Sequence, residues 1–118
     1  MATVNKKHKH PSHVDLGFIK YEIVQKSLIR EDCYGYVDFC KNTVTVDPSL
    51  DSRNYKWTLL HELFHIGYHL FGLGSDEDMP QMGNEYLTTA SSNMVQSLWG
   101  LNRELFDFIF SGDGNEKN

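Results

Sequence analysis

The sequence predicts an α+β domain: a short three-stranded antiparallel sheet, then one long helix, then two C-terminal helices. Three observations carry this. β-Branched and aromatic residues concentrate between residues 18 and 46. From residue 55 the apolar residues recur at helical spacing instead. Gly72 and Gly74, followed by Ser75-Asp76-Glu77-Asp78 and Pro80, then stop that helix and turn the chain before a second helical pattern begins. A chain of 118 residues with 40% apolar side chains suits a single core.

The strands are taken in order. Phe18-Ile19-Lys20-Tyr21-Glu22-Ile23-Val24 is rich in β-formers, though its alternation is imperfect. Tyr34-Gly35-Tyr36-Val37-Asp38-Phe39-Cys40 is the second strand, Lys41-Asn42 a turn, and Thr43-Val44-Thr45-Val46 the third.

The helix over 55–71 holds the most informative feature, His61-Glu62-Leu63-Phe64-His65. Leu59, Leu63, Ile66 and Leu70 form one apolar stripe; Leu60, Phe64 and Phe71 form a second, with Gly67 as a thin spot. Two stripes predict a buried central helix, on which a polar edge needs partners. Residues four apart stand on one face, so His61 and His65 can offer two imidazoles to one metal ion. Glu62 projects about 100° round the helix from His61, beside such an ion and within reach of its water.

A catalytic zinc takes three protein ligands and keeps one position for water. His69 continues the series, but it stands about 12 Å along the helix axis from His61. Glu77 and Asp78 fall in the acidic linker. Glu85 is the better candidate, twenty residues after His65 and near the start of a second helical stretch over 83–99 with Leu87, Ala90 or Ser91, Met94 and Leu98 as its stripe. A helical hairpin can return Glu85 to the imidazole face. The alternative reading of Glu85 is a first-turn acid favoured by the helix dipole. Residues 101–110, with Phe106, Phe108, Ile109 and Phe110, read as a last helix packed on the core.

Two histidines with a downstream glutamate look like the gluzincin branch of the zinc metallopeptidases. More closely, Thr43-Val44-Thr45-Val46-Asp47, the segment from Trp57 to His65, and Asn84-Glu85-Tyr86-Leu87 are similar to small phage-encoded metallopeptidases, and more distantly to ImmA/IrrE and SprT-like domains. The likeness spans about residues 17–110. It implies a minimal zincin in which His61, His65 and Glu85 hold Zn2+ and Glu62 is the general base. It also implies a peptide substrate paired with the edge of the second or third strand. Thr88 and Thr89 depart from the pattern, standing where relatives place an Ala and, in larger members, an Asp that orients a ligand histidine. Tyr68, His69 and Tyr86 are the candidates for oxyanion donor.

The remaining features bound the function. Residues 1–16 carry Lys6-Lys7-His8-Lys9-His10 and no apolar periodicity, and they read as a flexible basic arm; 111–118 reads as a polar tail. A net charge of −5, with Lys6, Lys7 and Lys9 of the arm as the one basic cluster, argues against nucleic acid as a partner. No Gly-rich phosphate loop or serine elbow is present. No apolar run is long enough to span a membrane and no secretion signal is evident, so a cytoplasmic protein is expected, in the host cytoplasm if phage-encoded. Cys33 and Cys40 then read as reduced thiols. A closed site of Cys33, Cys40, His61 and His65 is a rival, but it lacks a CxxC knuckle and leaves Glu62 without a role. A zinc-containing protein that grips a partner without cutting it is the alternative to a peptidase.

Overall fold

The computed structural model describes residues 7–72 and 84–112, with the side chains of 84–88 excepted. Four strands, β1 (His13–Asp15), β2 (Lys20–Gln25), β3 (Gly35–Asp38) and β4 (Thr43–Val46), precede three helices, α1 (Ser52–Leu70), α2 (Asn84–Leu101) and α3 (Arg103–Phe110). The architecture is α+β, and the helices follow the sheet in the chain.

The sheet differs from the expected three-stranded antiparallel one. It has four strands in the order β1-β2-β4-β3. β4 pairs antiparallel with β3, Val37 opposite Val44, but parallel with β2, Ile23 opposite Val44. The physical reason lies in residues 26–34. Leu28 is buried in that connection, and its N–H donates to Asp47 Oδ2 over 3.1 Å. Asp47 also accepts from Ser49 N and Oγ, and these bonds hold its carboxyl below the usual range. The connection is thus tied down beyond the end of β4. β3 lands on the outside and β4 fills the gap. The turn between them is local: Asp38 Oδ1 accepts from Cys40 N and Lys41 N, and Asn42 takes the left-handed φ of 57° that asparagine tolerates.

A second correction concerns the arm. The stretch from His8 to Leu16 is packed, not free. His8 stacks on Tyr55 with ring centroids 3.8 Å apart, and its Nε2 donates to Pro48 O. His10 is buried; its Nδ1 donates to Pro11 O, which leaves Nε2 to accept from Tyr55 Oη at 2.7 Å. Val14 and Leu16 join the core. These partners lie tens of residues away, so the segment shows no periodicity of its own. Asn102 closes the outer edge of β1: its Oδ1 accepts from Asp15 N at 2.6 Å and its Nδ2 donates to Asp15 O at 2.8 Å. At the other end, Lys56 Nζ donates to Ser111 O and Oγ, so the chain is still held at the start of the expected tail.

Helix α1 begins three residues before the apolar pattern. Asp51 caps it by accepting from Asn54 N, which is why the polar turn Ser52-Arg53-Asn54 is helical. Tyr55, Leu59, Leu63 and Ile66 are fully buried against Val44, Val46, Tyr21 and Ile23 of the sheet. On another side Gly67 admits α2, since a Cβ there would lie 2.5 Å from Met94 Sδ and 3.3 Å from Leu98 Cδ1. No described helix is long and apolar enough to cross a membrane.

Candidate functional site

The pentapeptide 61–65 lies inside α1, which runs unbroken through Gly67. Both imidazoles are exposed, and their Nε2 atoms converge to 3.2 Å with the rings nearly perpendicular at 80°. Without an ion this separation is a hydrogen bond, one ring donating N–H and the other accepting. It also meets the need of a shared zinc: two nitrogens, each about 2.0–2.1 Å from a tetrahedral ion, lie about 3.3 Å apart. Trp57, one turn before His61, stacks on its ring at 5.1 Å and 20° and holds the plane of the imidazole. Sequence reasoning had no role for Trp57, although its spacing from His61 carried the signal.

The second apolar stripe is not fully buried. Leu60 and Phe64 are half-buried and, with Trp57, Tyr68 and the two imidazoles, line a cavity of about 280 Å³. The expected buried central helix is therefore covered on its sheet side and on its α2 side, while the His61/His65 edge opens into this cavity. A larger cavity of about 530 Å³ lies between β1 and the start of α3; His13, Asp15, Lys20, Arg103 and Glu104 give its lining mixed charge, and neither imidazole reaches it.

Glu62 occupies the opposite flank of the imidazole pair. It is only 8% exposed and packs under β3, where a Cβ at Gly35 would lie 3.5 Å from its Cγ. Burial raises its affinity for a proton, and the neighbouring His61 and His65 pull in the other direction. Thr58, one turn earlier, is buried, and its Oγ1 has no hydrogen-bond partner.

β3 lies along α1 in the same direction. Gly35 is level with Thr58 and Glu62, while Phe39, just past the strand, stacks on His69 at 4.2 Å. The fit is metrical: four residues of strand cover about 13 Å, as do eight or nine residues of helix. His69 is thereby occupied against Phe39. With α1 continuous, it cannot share an ion with His61. Tyr68 remains beside the imidazoles and packs edge-on to Phe64.

Glu85 is in the first turn of α2, but its side chain, like that of Tyr86, lies outside the described residues, as do Glu77 and Asp78. Among the described residues no three His, Cys, Asp or Glu side chains are gathered as a ligand set. Two members of the expected set converge. The rival four-residue site does not form, since Cys33, Cys40, His61 and His65 are all described and are not clustered; both thiols are free. No family model matches the chain, and neither a curated protein nor a solved structure does.

Proposed function

We propose that the protein is a zinc-dependent metallopeptidase, with His61, His65 and Glu85 holding the ion and Glu62 as general base. The single observation that carries this reading is the 3.2 Å separation of the His61 and His65 Nε2 atoms, the edge length of a tetrahedral zinc site. Three features support it further. Glu62 follows directly on His61, and its burial moves its proton affinity in the direction a base working near neutrality needs. The apolar cavity of Trp57, Leu60, Phe64 and Tyr68 adjoins the imidazoles and would seat a substrate side chain. β3 is a sheet edge, whereas β4 is internal and β1 is closed at Asp15 by Asn102, so β3 is the strand an extended peptide would pair with.

When bound, zinc supplies Lewis-acid polarisation of the scissile carbonyl and a water acidic enough to ionise near neutrality. Glu62 accepts the proton of the attacking water on a carboxylate oxygen and delivers it to the departing amine nitrogen. His61 and His65 would offer their Nε2 atoms, 3.2 Å apart, to the one ion, and the Trp57 ring restrains the first of them.

Metal analysis of wild type, His65→Ala and Glu85→Ala tests the ligand set: one zinc per chain is expected in the first and loss in both variants. Glu62→Gln should keep the zinc and lose cleavage of a fluorogenic peptide library by about 10²–10⁴-fold. Undiminished cleavage by Glu62→Gln sinks the mechanism. A second reading, a zinc-containing protein that grips a partner without cutting it, draws on the open β3 edge and on Trp57, which is 62% exposed. Zinc without Glu62-dependent cleavage would favour it.

A further inference from the structure

One polar group of α1 is withdrawn from water without a partner, and the Glu62 carboxylate stands one turn above it. Thr58 is 2% exposed and its Oγ1 makes no hydrogen bond. A buried hydroxyl is almost always paired, because it gives up its water on folding. The usual outlet for a helical threonine is the carbonyl four residues back, and Thr58 does not take it.

The geometry brings the two together. Residues four apart share a face, and a helical side chain leans toward the N-terminus, so Glu62 leans over Thr58. β3 walls both of them. A Cβ at Gly35 would stand 2.9 Å from Thr58 Cγ2, 2.8 Å from Thr45 O and 3.5 Å from Glu62 Cγ. With the Thr58 methyl against the strand, its hydroxyl occupies the other branch of the same Cβ.

We infer that Thr58 is a positioning residue for Glu62: a side-chain rotation lets its hydroxyl, unpaired in this structure, donate to the Glu62 carboxylate and fix one oxygen so that the other is presented beside His61 and His65. The catalytic consequence rests on the reading of Glu62 as general base, whereas the pairing itself does not. Gly35 completes the arrangement, since only a residue without a side chain lets the strand close over both groups.

Two measurements on the full chain test this. The first is a double-mutant cycle read by thermal melting. Thr58→Val keeps the shape and removes the hydroxyl; it should lower the melting temperature by about 3–6 °C in the wild-type background and not at all in Glu62→Leu. Equal changes in both backgrounds, or a rise in both, would overturn the pairing. The second is peptide cleavage. Thr58→Val should reduce kcat about tenfold or more with KM unchanged, while Thr58→Ser, which keeps the hydroxyl and loses the methyl, retains most of the rate. The reverse order, with Val active and Ser impaired, would mean that only the methyl matters and would overturn the role. Thermal coupling in a wild type that shows no cleavage would support the pairing and remove the peptidase reading, so the two fail separately.

Discussion

The ring of Trp57 lies nearly parallel to that of His61, with centroids 5.1 Å apart and 20° between the planes, although Trp57 is mostly exposed. An exposed tryptophan that stacks on an imidazole restrains the ring at little entropic cost, because Trp57 has only two torsions to fix. Such aromatic pairs contribute about 0.5–1.5 kcal/mol. Trp57→Ala should therefore weaken zinc binding about two- to tenfold, and Trp57→Phe by less, measured by competition with a chromogenic chelator. An unchanged affinity would mean that the stack does not restrain His61.

Gly35→Ala should destabilise the protein by about 1–3 kcal/mol, as overpacking does. The added methyl would lie 2.8 Å from the Thr45 carbonyl, which is backbone and cannot turn aside. Pairing it with Thr58→Ser removes the 2.9 Å contact but not the one to Thr45, so the double variant should recover only part of the loss. Urea midpoints of the three variants check this, and full recovery would place the strain at Thr58 alone.

Acid should loosen the N-terminal segment through His10. Burial holds its pKa below the ordinary 6.5, with the positive charge of nearby His8 acting in the same direction and the Pro11 carbonyl opposing both. Tyr55, packed on the same ring, has its hydroxyl held protonated by burial. Below about pH 6.5 the unfolded chain therefore binds a proton that the folded His10 refuses. The contribution is favourable above that pH and declines as the pH falls, until His10 titrates in the fold. Urea midpoints at pH 7.5 and 5.5 should differ in wild type and differ less in His10→Gln, which cannot take up the proton. An equal pH dependence in both proteins would exclude His10 as its source.

Asn102→Ala should cost about 1–3 kcal/mol and expose the β1 edge. Three bonds go with the amide: those to Asp15 N and Asp15 O, and the one that Nδ2 donates to Leu98 O at 2.9 Å. Thermal melting with light scattering at several concentrations reads both consequences. Asn102→Asp keeps one acceptor and loses the donors, so it should fall between alanine and wild type in stability.

What the sequence determined alone is what depends on neighbours a few residues away. The α1 repeat, the Asp51 cap, the Asp38 turn and the rise of one helical turn between His61 and His65 are all local, and that rise is enough to bring two Nε2 atoms to 3.2 Å. Strands β2, β3 and β4 were legible as segments, β1 was not, and the arrangement of the four was not legible at all. Nothing in the alternation of residues 43–46 states that β4 lies between β2 and β3 and runs parallel to one of them; the long reach from Leu28 to Asp47 decides that. Residues 8–15 lack periodicity because Tyr55 and Asn102, far along the chain, hold them. The chemistry of Glu62 divides in the same way. Its place beside His61 is read from the sequence, but its burial under Gly35 and its nearness to an unpaired Thr58 hydroxyl exist only once β3 has closed on α1. Tertiary packing decided these features because dehydration, which shifts a carboxyl group and leaves a hydroxyl in need of a partner, is a property of what covers a residue and not of its neighbours in sequence.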